Sequence, residues 1–180
     1  MIVLVGASAS GKTELAKILY HTYGYKKCVT TTTRPERIGE RDGIDYHFLT
    51  EDTFKSLMAK QAFYEVTEYS NRYYGIQKRD VIENGVVIVD PNGANALVDQ
   101  ADDVYVVFVE ASEELRTARM VARGDALEQV EKRILGDRGV FQLKNFHRID
   151  LHIYNEQVDL NELAQWVHEH YQKRHQNKNG

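Results

Sequence analysis

The chain has 180 residues, 42% of them hydrophobic and 28% charged, with two prolines, one cysteine and a net charge of −4. That length makes one domain with a core of its own, and the composition is that of a globular chain rather than a disordered or fibrous one. The acidic balance excludes general nucleic-acid binding, so any anionic ligand must be held by a local basic cluster.

Ile2–Val5 is a short apolar run, read as a buried strand. It follows Met1 directly and leaves no room for a cleaved leader, which points to the cytoplasm. Gly6–Thr13 reads as a turn, and Lys12–Tyr23 shows helical spacing at Leu15, Ile18 and Leu19. A second strand is expected around Lys27–Thr30. Cys28 falls there, has no partner for a disulfide, and is read as a buried thiol in a reducing compartment. Residues 31–75 break the rhythm. They are rich in charge, Tyr and Thr, with strand-like pieces at Tyr46–Leu49 and Phe63–Tyr69 and a helix from Glu51 to Lys60 between them. This stretch is read as a small mixed subdomain inserted into the core.

Val86–Val89 and Val104–Val109 are continuous apolar runs, right for buried strands and too short to span a bilayer, so no membrane partner is expected. Ser112 is placed to cap a helix over Leu115–Ala122. A longer helix is expected over Ala126–Phe146, broken near Gly136 or Gly139, and its charged part is read as a mobile lid. Leu151–Tyr154 is a fifth strand. Leu160–Tyr171 is an amphipathic final helix carrying Leu163, Trp166 and Val167, and the polar tail His175–Gly180 is expected to fray. Apolar strands alternating with helices indicate an α/β fold whose parallel sheet is covered on both faces.

Gly6-Ala7-Ser8-Ala9-Ser10-Gly11-Lys12-Thr13 matches the phosphate-loop pattern, between an apolar strand and a helix. The glycines let backbone N–H groups wrap phosphates at a helix N-terminus. Lys12 reaches the β and γ phosphates, and the Thr13 hydroxyl is the ligand expected to hold Mg²⁺. The motif indicates ATP or GTP and is silent on the acceptor. His168-Glu169-His170 lacks the spacing of two metal ligands on one helical face.

The run from Thr30 through Arg34, Arg37 and Tyr46 to Phe48 resembles the guanylate kinase signature. Phe63-Tyr64-Glu65 with Tyr73-Tyr74-Gly75, Asp90-Pro91-Asn92-Gly93-Ala94, and Arg119 to Gly124 with Arg133 resemble further motifs of the same family, in the same order. The resemblance runs from Ile2 to about Asn155. It implies a single domain of the P-loop NTPase type: a three-layer αβα core (about 1–30, 76–122 and 139–175) around a five-stranded parallel sheet. It also implies an inserted mixed GMP-binding subdomain (about 31–75) and a helical lid (about 123–138). The implied reaction is Mg²⁺-dependent transfer from ATP to GMP, and to dGMP, by a monomer or homodimer. The implied GMP ligands are Thr30, Arg34, Arg37, Tyr46, Glu65, Tyr74 and Asp90. The implied catalytic groups are Lys12, Arg34, Arg119, Arg123 and Arg133.

Physical chemistry gives those residue types the same work. Two guanidiniums and two phenols suit a phosphate. A carboxylate at Glu65 accepts both the N1–H and the amine of guanine, which adenine cannot match, and Asp90 adds an acceptor. The attacking phosphate oxygen is already largely ionised at neutral pH, so no general base is needed. Three places depart from the family: Ile76 stands where a hydroxyl usually meets guanine, Ile88 where an Asp is usual, and the lid between Gly124 and Arg133 is about one residue short and lacks the usual Thr-Glu-Thr-Glu run. Ile76 and Ile88 leave open another small-molecule kinase on this fold, such as a ribose bisphosphate kinase. An inactive binding module fits less well, because Gly11, Lys12 and Thr13 are intact.

Overall fold

The computed structural model describes residues 1–69 and 71–178. In chain order the elements are β1 (Ile2–Val5), α1 (Lys12–Tyr23), β2 (Lys26–Lys27), β3 (Thr31–Thr32), β4 (His47–Phe48), α2 (Glu51–Ala59), β5 (Phe63–Tyr69) and β6 (Arg72–Gln77). There follow β7 (Gly85–Ile88), α3 (Pro91–Gln100), β8 (Tyr105–Glu110), α4 (Glu113–Ala122), α5 (Leu127–Val140), β9 (Leu151–Tyr154) and α6 (Leu160–Lys178).

All four side chains of β1 are buried, so the strand needs cover on both faces and sits in mid-sheet. The five-stranded sheet runs β2-β7-β1-β8-β9 and every pairing in it is parallel. On one face Leu15, Ala16 and Leu19 of α1 and Leu163, Val167 and Tyr171 of α6 pack against Ile2, Leu4 and Val107. On the other, Ala94 and Leu97 of α3 pack with Val3, Val5, Val87, Val106 and Phe146. This is the three-layer αβα arrangement expected from the strand–helix rhythm. No described helix is long and apolar enough to cross a membrane.

The inserted stretch forms a second sheet, β4-β3-β6-β5, of mixed pairing. Its small core is aromatic: Phe54 of α2 is fully buried, stacked on Phe63 at 4.5 Å and on Tyr73 at 5.5 Å between centroids. Thr50 caps α2 by accepting the Thr53 N–H.

Three expectations change. The strand expected over Lys27–Thr30 is two pieces: β2 ends on β7, the chain crosses over through Cys28, and β3 joins the small sheet. Cys28 is buried. The helix expected over Ala126–Phe146 is shorter: α5 runs through Gly136 and ends at Val140, so the break expected near Gly139 is there, and only a single 3-10 turn at Leu143–Asn145 follows it. Neither glycine has a neighbour crowding it, and Val130 and Ile134 anchor the helix on Met120. Finally, α6 continues to Lys178, seven residues past Tyr171, and only residues 179 and 180 of the expected frayed tail lie outside the described residues. Ser112 does cap α4, accepting the Leu115 N–H at 3.3 Å.

Because Phe54 carries most of the small sheet's core, Phe54→Ala is expected to lower stability by about 3–5 kcal/mol in urea titrations, the range for truncating a buried aromatic. A loss below about 1 kcal/mol would show that the small sheet does not depend on this ring.

Candidate functional site

Residues 6–11 curl because the backbone takes left-handed angles at Gly6 (φ 144), Ala9 (φ 61) and Gly11 (φ 102). The glycines are also crowded: a Cβ at Gly6 would run into fixed backbone at the Val109 carbonyl, and a side chain at Gly11 would displace the Asn155 amide. The curl leads straight into α1, so its N–H groups and the positive end of the helix dipole meet at one spot.

Lys12 folds back over the loop and donates to the Ala7 carbonyl at 2.7 Å and to Ser10 Oγ at 3.3 Å. Burial pulls its pKa down to about 8, with the Asp137 carboxylate raising it and Arg116 lowering it. Ser10 is buried, and Thr13 presents an exposed hydroxyl on the first turn of α1. Mg²⁺ suits such a place: it takes oxygen ligands, draws most of them from substrate phosphates, and retains water for the rest. Among the described residues no cluster of three or more His, Cys, Asp or Glu could hold a metal without such help.

The lid arginines divide. Arg119 of α4 reaches the loop, donating to the Ala9 carbonyl and to the Asn155 carbonyl, both at 3.1 Å. Arg123 and Arg133 do not. They lie exposed at the α4–α5 turn and share the Asp125 carboxylate, at 2.5 Å and 3.7 Å.

On the acceptor side, Arg34 is half-buried and forms a two-pronged pair with Glu40 at 2.8 and 2.9 Å, its guanidinium over the Tyr46 and Phe48 rings. Burial raises the Tyr46 phenol, which also feels Arg34, Tyr74, Glu40 and Arg37. Arg34, Arg37, Tyr46 and Tyr74 therefore form one cluster. Arg37 itself is exposed, and Thr30 is half-buried, its carbonyl held by the His47 N–H. The two carboxylates also converge. Asp90 caps α3 by accepting the Gly93 N–H at 2.8 Å, and Glu65 on β5 is half-buried. Burial first, and then Asp90, raise the Glu65 carboxyl, while Thr67 opposes the rise.

Thr67 was not singled out by sequence, yet its hydroxyl donates to Glu65 and lies 3.3 Å from Asp90. Period-two alternation would have put it on the Glu65 face of β5. Ile76 lies directly opposite Glu65 across the β5–β6 pair and shares its face, buried beside Gly93, and Ile88 packs on the opposite core cluster. Asn155 was also missed. It is buried, donates to the Ser10 carbonyl at 2.8 Å, and fixes the end of β9 against the loop.

The two half-sites leave one edge of the main sheet. The loop follows the C-terminal end of β1 and Asp90 follows that of the adjacent parallel strand β7, where the Val89 N–H still donates to the Leu4 carbonyl. Ligands of open α/β sheets bind at this end of the strands.

The sequence profile of the guanylate kinase family matches residues 1–170. The guanylate kinase of Hyphomonas neptunium is 34% identical over 169 residues, covering 89% of this chain and 77% of that one. That of Neisseria meningitidis is 31% identical over 143 residues, covering 74% and 70%. The crystal structure of guanylate kinase from Anaplasma phagocytophilum superposes with a TM-score of 0.66 at 21% identity, covering 97% of this chain and 85% of that one.

Lys12 makes the site pH-dependent. The folded chain binds fewer protons than the unfolded one between about pH 8 and 10.5, so the penalty of burying the ammonium weighs fully on stability below pH 8 and is relieved as pH rises. Binding runs the opposite way, since an anion at the loop needs the charged form. Affinity for inorganic tripolyphosphate is expected to be level below pH 8 and to fall above it, approaching about tenfold per pH unit, with proton uptake visible by calorimetry in buffers of different ionisation enthalpy. An affinity level to pH 10 would show that the Lys12 charge does not hold the anion.

Proposed function

The chain belongs to the guanylate kinase family, whose members are nucleoside-monophosphate kinases, and from there we propose that it transfers the γ-phosphoryl group of ATP to GMP and dGMP with Mg²⁺ in the cytoplasm. The observation that carries the reading is the meeting of two half-sites at one sheet edge. A phosphate loop with its lysine follows β1, Asp90 follows the adjacent β7 and reaches Thr67 and Glu65, and the Arg–Tyr cluster stands on the same small sheet as Glu65.

In this reading the loop N–H groups and Lys12 hold the β and γ phosphates. Thr13 would hold Mg²⁺ through its hydroxyl, and the ion would supply charge neutralisation of the ATP phosphates. Arg34, Arg37, Tyr46 and Tyr74 hold the GMP phosphate, with Arg34 exchanging its Glu40 partner for the ligand. Glu65 accepts the guanine N1–H and amine, Asp90 offers a second acceptor, and Thr30 and Thr67 supply hydroxyls. A GMP phosphate oxygen forms the new bond to the γ phosphorus, and the bond from that phosphorus to the bridging oxygen breaks, leaving ADP. Catalysis comes from alignment and charge. Closure of α4 and α5 would carry Arg123 and Arg133 from Asp125 to the transferring group and exclude water. In this reading both half-sites come from one chain.

A coupled ADP-release assay with ATP and Mg²⁺ tests this across GMP, dGMP, AMP, UMP and ribose 1,5-bisphosphate. Turnover is expected with the two guanine nucleotides alone, and Lys12→Ala abolishes it. Turnover with the sugar bisphosphate instead would move the acceptor to a different class. Glu65→Gln replaces one acceptor oxygen by a donor and is expected to cost about a hundredfold in kcat/KM for GMP while leaving KM for ATP unchanged. An equal rise in both KM values would place Glu65 outside the base pocket.

A further inference from the structure

Three side chains of the α4–α5 hairpin grip the phosphate loop, and two of them, Arg116 and Asp137, are outside the set of site residues that the family resemblance implies. Asp137, near the end of α5, accepts the Ser8 N–H at 2.7 Å. Arg116, on α4, donates to the same carboxylate oxygen at 3.0 Å and to the Ser8 carbonyl at 3.3 Å. Arg119 takes the next carbonyl, that of Ala9. Three consecutive peptide groups are thus held from outside the loop. The residue at their centre, Ala9, is left-handed at φ 61 without being glycine. An alanine keeps that conformation only where its surroundings over-determine it.

Stability alone is a poor reason for this pair. Arg116 is 4% exposed, and a buried ion pair seldom improves on well-packed apolar side chains, because both charges must be stripped of water. The pair also sets a carboxylate beside an anion site, which opposes phosphate binding unless the guanidinium neutralises it. Lys12 feels both members, in opposite senses.

We propose that Arg116 and Asp137 are positioning residues for the ATP phosphates. From the lid hairpin they clamp the peptides on either side of Ser8, hold the left-handed turn at Ala9, and so set the following N–H groups and Lys12 before the nucleotide arrives. The inference rests on the reading that Gly6–Thr13 holds ATP, and it is independent of the acceptor.

The test is calorimetric binding of a non-hydrolysable ATP analogue with Mg²⁺ and no acceptor, beside GMP binding and the melting temperature, for the wild type and four variants. Arg116→Met/Asp137→Leu removes both charges. It is expected to fold with a melting temperature near the wild type's and to bind the analogue about tenfold more weakly, with GMP binding unchanged. Arg116→Met alone leaves an unpaired carboxylate facing the phosphates and is expected to lose more, about a hundredfold. Arg116→Lys, which keeps the charge and is the variant to read if Arg116→Met does not fold, is expected to recover most of that loss. Asp137→Asn keeps an acceptor for the Ser8 N–H without the ion pair and is expected to fall between the wild type and the double variant. Wild-type analogue affinity in the double variant and in Asp137→Asn, with or without a lower melting temperature, would reduce the pair to a structural brace. In that case GMP turnover by the wild type would still stand. A wild type that fails to bind the analogue would instead remove the ATP reading, and this inference with it.

Discussion

An anion can be bound by backbone only where the chain curls tightly enough for several N–H groups to point inward, and no side chain fills the hollow. Here that requirement falls on residues 6–11. The Val109 carbonyl lies against Gly6 and the Asn155 amide against Gly11. The curl is therefore pressed between the ends of β8 and β9, and the order of the sheet follows from it. β1 has to be central, with β8 beside it and β9 next, so that Val109 and Asn155 arrive where they close the loop. Buried aliphatic strands supply the rigidity that such an arrangement needs.

Electrostatics then bear on how an acidic chain would hold the two polyanionic ligands of the proposed reaction. Positive charge is concentrated and pre-paired. Arg34 rests on Glu40, Arg116 on Asp137, and Arg123 and Arg133 on Asp125. Each carboxylate keeps its guanidinium oriented. Exposed pairs such as Arg123–Asp125 cost little to separate, whereas the Arg116–Asp137 pair is buried and does not readily part. The hairpin thus has a fixed end at the loop and an exposed end at the turn.

Much of this is legible in the sequence, and the limits have physical causes. β1, the loop and α1 are plain because an apolar run, a glycine-framed octet and a helical period follow one another without a gap. The residues proposed for the acceptor stand out as a set, because their types match a phosphate and a guanine edge, and the structure brings Glu65 and Asp90 together and Arg34 onto Tyr46. The split of β2 from β3 is hidden, since both pieces are two residues long and only the pairing partner tells them apart. Asn155, Arg116 and Asp137 are hidden for another reason. Each meets the loop across 108 to 145 residues of chain, and no local pattern records such a contact. Thr67 is hidden for a third reason. Along the chain Ile76 marks the place of a missing hydroxyl, but the cross-strand register sets Glu65 opposite Ile76 and Thr67 opposite Tyr74, and the Thr67 hydroxyl reaches both carboxylates on that face.

The central claim is that the loop and the carboxylate pocket are two halves of one site. A single compound that joins adenosine to guanosine through a pentaphosphate chain tests it directly by titration calorimetry. One molecule should bind per chain, at least about a hundredfold more tightly than either ATP or GMP, because the second contact becomes intramolecular. Two molecules per chain, or an affinity no better than that of ATP alone, would mean that the halves do not face a common centre.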